Sequence, residues 1–274
     1  MKGVLPEGRS QSSVFLKRQS KTHQGDIKSP FFLPKNQMEK KYQRVLLKLS
    51  GEYLGGQTGH GFDFGVINIL TDQIIQIHDL GLEVAIVLGG GNFFRGTRSI
   101  PLAMDRVAAD HIGMMATVMN AVCVKEALIA KNRKVQVMTG LEAPSIAQKF
   151  QKERAVNLLE SGNILIFAGG TGNPFFSTDT AAVLRGLEIS ADIVIKGTKV
   201  DGVYDKDPET DASAVKFERI SYEQVLSSNL KVMDGAAIAL CRENKMPLCV
   251  LSIVNPDDLY RFVRGEDVGT IVHE

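Results

Sequence analysis

Glycines and lysines recur directly after buried, strand-like segments of this sequence. Glycine lets the backbone approach a ligand closely, and exposed N–H groups together with ammonium groups bind anions. This composition predicts a site that binds two polyphosphate groups end to end. The four clusters are Lys48–Gly51, Gly89–Asn92, Gly169–Gly172 and Lys196–Thr198.

The segment GGTGNPFFSTDT, Gly169–Thr180, has the most unusual composition. It follows the apolar run ILIFA and ends in Ser, Thr and Asp, which are typical first residues of a helix. The segment therefore predicts a strand, a loop and a helix N-terminus, a place suited to phosphate. For the adjacent Phe175 and Phe176 we expect one ring to pack under the loop and the other to line a ligand pocket.

The common phosphate and nucleophile motifs are absent. No Gly-Lys-Ser/Thr run exists, which disfavours a P-loop kinase, and there is no GxSxG elbow. Gly170 and Gly172 begin a GxGxxG fingerprint, but Phe175 stands at its third glycine, so a dehydrogenase that uses NAD is also disfavoured. A phosphate site without these motifs remains.

The elements that must position these residues alternate regularly. Apolar runs such as RVLLKLS, EVAIVL, KVQVMT, NILIFA and DIVIK predict strands, and stretches with apolar residues every three or four positions separate them. This alternation predicts a doubly wound α/β fold with a mostly parallel sheet, whose ligands bind at the carboxyl ends of the strands. The Asp-rich segment after Lys196 predicts a long functional or mobile loop.

Composition restricts the class of protein. The 274 residues are 44% hydrophobic with a formal net charge of +1, so nothing global indicates a nucleic-acid or membrane partner. No uninterrupted apolar run approaches the roughly 18 residues of a membrane span. The three cysteines form no CxxC pair and no metal-ligand spacing with the five histidines, which favours a cytoplasmic protein.

The first 37 residues differ from the rest. They carry seven Lys or Arg against one Glu and one Asp and show no sustained periodicity. We expect residues 1–37 to be a disordered basic extension, and residues 38–274 to be the folded domain. A flexible tail, or sequence upstream of a start at Met38, is favoured over a targeting role.

Four motifs in this order resemble the bacterial UMP kinases, a branch of the amino acid kinase family. The similarity runs from about Met38 to the C-terminus and implies the fold of that family, with residues 38–274 as its kinase domain. The motifs are KLSGE at Lys48, GGGNFFRG at Gly89, GTGNPFFSTD at Gly170 and TKVDGVYDKDP at Thr198.

The resemblance implies phosphorylation of UMP to UDP by ATP in pyrimidine nucleotide biosynthesis. Lys48 and Lys196 would stabilise the charge of an in-line phosphoryl transfer, and Asp179 would orient them. Mg²⁺ would enter as MgATP, held through the ATP phosphates. The resemblance also implies inhibition by UTP and a homohexamer, and it leaves activation by GTP open.

The resemblance assigns binding residues position by position. The implied ATP contacts are Lys48, Leu49, Ser50, Gly51, Gly91, Arg95, Thr198, Tyr204 and Asp207. The implied UMP contacts are Gly90, Asp110, Thr171, Gly172, Asn173, Pro174, Phe175, Phe176, Ser177 and Thr178.

Two questions stay open at this level. A nucleotide-binding sensor or storage protein of the same fold is the alternative to the enzyme. Loss of Lys48 or Lys196 would favour that alternative, but both lysines are present. The Met-rich face of the helix between Asp110 and Ala127 fits a subunit contact as well as a core within one chain.

Overall fold

A computed structural model describes residues 41–94 and 104–274. The extension expected over residues 1–37 lies outside the described residues, and so does Arg95. The described residues form eleven strands and eight α-helices. The strands are β1 (Arg44–Leu49), β2 (Glu83–Leu88), β3 (Val135–Thr139), β4 (Gln148–Lys149), β5 (Ile164–Ala168), β6 (Ile193–Thr198), β7 (Val203–Tyr204), β8 (Lys216–Phe217), β9 (Arg219–Ser221), β10 (Leu248–Ser252) and β11 (Thr270–His273).

The helices mostly follow the strands along the chain. They are α1 (Gly51–Leu54), α2 (Phe64–Asp79), α3 (Arg106–Ala130), α4 (Lys152–Glu160), α5 (Thr178–Glu188), α6 (Tyr222–Ser227), α7 (Gly235–Asn244) and α8 (Asp258–Val263). A short 3₁₀ turn, Gly56–Thr58, lies between α1 and α2.

Nine of the described strands form one sheet in the order β4, β3, β5, β2, β1, β6, β10, β11, β9. All neighbours pair in parallel except β10 with β11. The doubly wound α/β prediction with a mostly parallel sheet is confirmed. The strands that precede or contain the four glycine clusters, β5, β2, β1 and β6, are consecutive in the sheet, so their carboxyl ends meet at one edge.

Helices cover both faces of the sheet because strand side chains alternate between them. On one face, α2, α3 and α8 pack against residues such as Leu47, Ile86 and Ile195. On the other, α4, α5, α6 and α7 pack against residues such as Leu46 and Val194. The sheet thus forms the middle layer of three, and its central strands are fully buried.

The Asp-rich segment after β6 contains more structure than predicted. Val203–Tyr204 and Lys216–Phe217 pair as an antiparallel hairpin, and Arg219–Ser221 joins the edge of the main sheet beside β11. The Thr270 hydroxyl accepts from the Val203 N–H (2.8 Å) and so attaches the hairpin to β11. These strands are two or three residues long, too short for hydrophobic periodicity to identify.

The sequence shows no uninterrupted apolar run long enough for a membrane span, but helix α3 passes a test on its average composition. Its 25 residues are long and apolar enough, by length and composition alone, to cross a membrane. Residues along its inner side, including Val118, Ala121 and Val124, lie in the core against the sheet. This burial is typical of a core helix. The stripe of Met115 and Met119 lies on the opposite side and is exposed by 61% and 49%.

Candidate active site

Two lysines lie side by side at the centre of the sheet edge. Lys48 on β1 is paired in register with Lys196 on the neighbouring strand β6. Parallel strands in register point paired side chains to the same face, so both ammonium groups emerge on the side covered by α5. Lys48 and Lys196 are both mostly buried, with side-chain exposures of 11% and 17%.

One carboxylate joins the two lysines. Oδ1 of Asp179 lies 2.6 Å from Nζ of Lys48, and Oδ2 lies 2.8 Å from Nζ of Lys196. Asp179 occupies the first turn of α5, where the Ser177 hydroxyl caps the helix by accepting from the Asp179 N–H (2.9 Å). The helix N-terminus favours a negative charge at this position. The structure therefore brings together the three residues proposed as catalytic.

The protonation of Asp179 follows from its surroundings. Burial alone would raise the pKa of its carboxyl, but Lys48 and then Lys196 outweigh burial and hold the pKa below its usual value. Burial lowers the pKa of Lys196, Asp179 opposes that effect, and Lys48 adds to the lowering. Asp179 is therefore an anion at neutral pH, within ion-pair distance of both lysines.

Asp234 is a further residue of this region that the sequence analysis did not select. It is the N-cap of α7, where Oδ1 accepts from the Ala237 N–H (2.9 Å). The same carboxylate accepts from the hydroxyl of Thr180 (2.9 Å), in the first turn of α5, and from the hydroxyl of Ser177, the N-cap of α5. Asp234 thus ties the starts of α5 and α7 together beside the lysines. The Asp before the run GAAIAL is a sequence signal for the N-cap of α7. Nothing in the sequence indicates that the same carboxylate also accepts hydrogen bonds from the start of α5.

The two glycine clusters after β1 and β2 are in direct contact. A Cβ on Gly51 would lie 2.5 Å from Gly89 O and 2.8 Å from Gly91 N, so no side chain fits. Ser50 caps α1 by accepting from the Glu52 N–H (3.3 Å). Leu49 lies in the hydrophobic core, which leaves only its backbone for an ATP contact. Close backbone approach here leaves N–H groups rather than side chains to meet a ligand.

The loop after β5, residues 169–178, is called the acceptor loop. Its residues Gly169 and Gly172 have φ of +72° and +85°, and so does Phe175 at +72°, a backbone region that non-glycine residues rarely adopt. The Asp110 carboxylate accepts from the Phe175 N–H (2.7 Å) and pairs with Nε of Arg106 (2.9 Å). Asp110 therefore lies against the acceptor loop.

The two phenylalanines differ from the expectation. Phe175 is 66% exposed and Phe176 is 52% exposed, so neither ring packs under the loop. The Arg106 guanidinium lies 5.5 Å from the centre of the Phe175 ring. The Asp110 hydrogen bond to the Phe175 backbone holds the loop in place of a buried ring. Both rings remain available as apolar surface for a ligand.

A cavity of about 470 Å³ opens beside β6 and the Asp-rich segment. Its lining includes Lys196 and the predicted ATP contacts Thr198, Tyr204 and Asp207. The Tyr204 hydroxyl donates to Asp201 (2.6 Å), which fixes one wall. The cavity reaches the two-lysine cluster at Lys196, and its volume suits a small ligand such as a nucleoside.

The described residues hold no group of three His, Cys, Asp or Glu side chains placed to bind a metal ion. Lysines and glycine N–H groups instead make up the donor set at the sheet edge. These groups bind anions, so they fit the phosphate oxygens of a metal–nucleotide complex rather than the metal itself.

Comparison with known proteins was made by sequence and by structure. Residues 43–252 match the model of the amino acid kinase family. A uridylate kinase of Dichelobacter nodosus (strain VCS1703A) is 47% identical over 233 residues, which are 85% of this chain and 97% of that protein. The range 43–252 contains both lysines and all four strand ends.

Solved structures give the same result. The UMP kinase of Bacillus anthracis is 39% identical with a TM-score of 0.82, covering 85% of this chain and 96% of the other. The UMP kinase of Ureaplasma parvum is 37% identical with a TM-score of 0.80, covering 85% of this chain and 99% of the other.

Proposed function

The chain belongs to the amino acid kinase family, in its UMP kinase branch, and we propose that it transfers the γ-phosphoryl group of ATP to UMP. The products are UDP and ADP, and the reaction supplies pyrimidine nucleotide synthesis. One observation carries the proposal: in the ion triad of Lys48, Asp179 and Lys196, Lys196 also lines the cavity beside β6, and Asp179 directly follows the acceptor loop.

The chemistry requires neutralisation of charge. An oxygen of the UMP phosphate forms a bond to the γ-phosphorus while the bond from that phosphorus to the oxygen bridging it to the β-phosphorus breaks. Two anionic groups must approach in line, so two fixed ammonium groups and glycine N–H groups supply the stabilisation. The UMP phosphate is already ionised at neutral pH, so Asp179 orients the lysines and removes no proton.

The donor and acceptor sites follow from their position around the triad. ATP occupies the cavity lined by Thr198, Tyr204 and Asp207, with its phosphates along the Lys48–Gly51 and Gly89–Asn92 segments. UMP lies under the acceptor loop beside Asp110. Mg²⁺ would enter as part of the MgATP substrate and would neutralise phosphate charge there, while Lys48, Lys196 and the glycine N–H groups bind the remaining phosphate oxygens.

The chain forms a homohexamer through the exposed apolar side of α3, on this proposal. Met115, Met119 and Ile146 line an apolar groove together with Phe62 and Cys123, and such a surface favours contact with another subunit. The enzyme acts in the cytoplasm, where its three free cysteines stay reduced. UTP inhibits it by competing at the uridine side.

A nucleotide panel tests the reaction. The purified chain is incubated with ATP, Mg²⁺ and each of UMP, CMP and AMP, and the ADP formed is measured. ADP with UMP alone supports the proposal. Nucleotide binding without ADP from any acceptor supports the sensor or storage protein instead, and ADP with all three acceptors contradicts the specificity for uridine.

A further inference from the structure

Two polar residues lie one turn apart on the inner side of α3, amid apolar core. Thr117 is 2% exposed and Asn120 is 0% exposed. Buried polar groups need hydrogen-bond partners, and their partners show what a buried polar side chain holds in place. For both residues the partners include the backbone of a glycine at the end of a strand.

Thr117 holds the start of the acceptor loop. Its hydroxyl donates to Met114 O within α3 (2.7 Å), which fixes the direction of its lone pairs. One lone pair then accepts from the Gly169 N–H (2.7 Å), where the chain leaves β5 with a left-handed φ. The hydroxyl thus makes a donor and an acceptor bond at once and connects the helix to the loop.

Asn120 holds the segment after β2 in the same way. Its Nδ2 donates to Gly89 O (2.6 Å) and to Asn92 Oδ1 (2.7 Å), and its Oδ1 accepts from Asn92 Nδ2 (2.9 Å). Both hydrogens of the amide are therefore used on the glycine cluster. Asn92 is itself buried, with 1% exposure.

The helix also contacts the intervening glycine directly. A Cβ on Gly90 would lie 2.7 Å from Gly113 O and 2.9 Å from the Ala116 Cβ, so the Gly89–Asn92 segment lies on the helix surface. Contact at Gly90 and hydrogen bonds on both sides of it leave this segment little freedom to shift relative to α3.

We propose that Thr117 and Asn120 are positioning residues that set the separation between the Gly89–Asn92 segment and the acceptor loop. The inference rests on the proposed function, because those two segments hold the reacting phosphates. One rigid helix turn spaces the two side chains by about 4.5 Å along its axis. In-line transfer depends on such spacing, since a displacement of about 1 Å can cost roughly 100-fold in rate.

Variants of Thr117 test the proposal against a matched control. Thr117→Val removes the hydroxyl, and Thr117→Ser keeps it. Thr71→Val is the control, because Thr71 is a fully buried helical threonine whose hydroxyl donates to Asn68 O and accepts from Nζ of Lys131, the C-cap residue of α3. Steady-state kinetics are measured with UMP and with ATP varied, and thermal unfolding checks the fold.

For Thr117→Val we expect kcat/KM for UMP to fall about 10- to 100-fold, with KM for UMP rising more than KM for ATP. Thr117→Ser restores kcat/KM, and Thr71→Val leaves it unchanged. If the Thr117 hydroxyl has only a structural role, Thr117→Val and Thr71→Val lose the same thermal stability. The ratio of KM for UMP to KM for ATP then stays as in the unchanged protein. That result overturns the proposal. If Thr117→Val does not fold, Thr117→Ala against Thr117→Ser makes the same comparison.

Amide hydrogen exchange separates this inference from the proposed reaction, because it needs no substrate. Thr117→Val is expected to speed exchange at Gly169, and Asn120→Asp, which loses the donor to Gly89, to speed exchange in the Gly89–Asn92 segment. If the unchanged chain phosphorylates none of the nucleotides, the proposed function fails. The exchange rates at Gly169 and in the Gly89–Asn92 segment then decide the positioning roles by themselves. Unchanged exchange in both variants overturns the positioning roles.

Discussion

At the scale of single residues, two ammonium groups share one carboxylate at the sheet edge. This shared ion pair stabilises two charged lysines that are mostly buried. Lys48 and Lys196 lose hydration, and Asp179 compensates through two ion pairs. The triad keeps a net positive charge when both lysines are protonated. It is therefore suited to an incoming anion, and substitutions of Lys48 and Asp179 test its parts.

Lys48→Ala is expected to lose about 10²- to 10³-fold in turnover with the fold intact, because one electrostatic stabiliser is removed. Lys149→Ala is the matched control, since Lys149 is 64% exposed and pairs with Glu142 at the surface. Initial rates with UMP and ATP measure the effect. Near-normal turnover of Lys48→Ala removes Lys48 from the proposed mechanism.

Asp179→Asn is expected to destabilise the fold by about 3 kcal/mol at neutral pH, since it leaves two buried ammonium groups without a counterion. The pKa of Asp179 is lowered on folding, so its contribution is present above its unfolded value of 3.8 and is lost as pH falls through the folded pKa. Urea unfolding of both proteins should show the stability gap narrowing below about pH 4. A gap that is constant down to about pH 2 contradicts this role.

At the scale of elements, the start of α5 is the part that the site depends on most. Its cap, Ser177, and its first-turn Asp179 and Thr180 are all hydrogen-bonded or ion-paired to other elements. Asp234 supplies much of this connection from the start of α7. Two helix N-termini are thereby fixed relative to the two lysine strands.

Asp234→Ala removes one helix cap and the acceptor of two hydroxyls, so we expect a loss of about 1 to 2 kcal/mol in stability together with lower turnover. Ser221→Ala provides the comparison, because Ser221 caps α6 through a capping box away from the triad. That control should lose stability and keep turnover. Equal turnover in the two variants would mean that Asp234 acts only as a cap.

At the scale of the whole molecule, the order of strands determines where the site forms. The chain places β5, β2, β1 and β6 side by side, although they are far apart in sequence. Among the described residues, nothing covers the Met115 side of α3, while its other side packs on the sheet. The proposed assembly surface and the proposed active site thus lie on opposite sides of one helix.

Met115→Glu is expected to reduce the assembled mass, because a buried carboxylate at a subunit contact is unpaired. Leu226→Glu is the control, since Leu226 is a partly exposed leucine on α6, on the other face of the sheet. Light scattering after size-exclusion chromatography measures mass against the 29.9 kDa of one chain. An unchanged assembly in Met115→Glu places the subunit contact elsewhere.

The sequence by itself determined the α/β class, the positions of the central strands and the location of the glycine clusters at the ends of those strands. Periodicity and helix caps are local properties, so a single chain displays them. Lys48 and Lys196 were identifiable because each lies near the carboxyl end of a buried strand, and the acceptor loop because its composition is unusual.

Only the tertiary structure decided which residues meet. Register places Lys48 beside Lys196, and the packing of α5 and α7 brings Asp234 to Ser177 across 57 positions of sequence. The hydrogen bonds of Thr117 to Gly169 and of Asn120 to Gly89 likewise exist only in the folded chain. Such contacts depend on strand order and helix packing, which act over long range and leave no periodic trace in the chain.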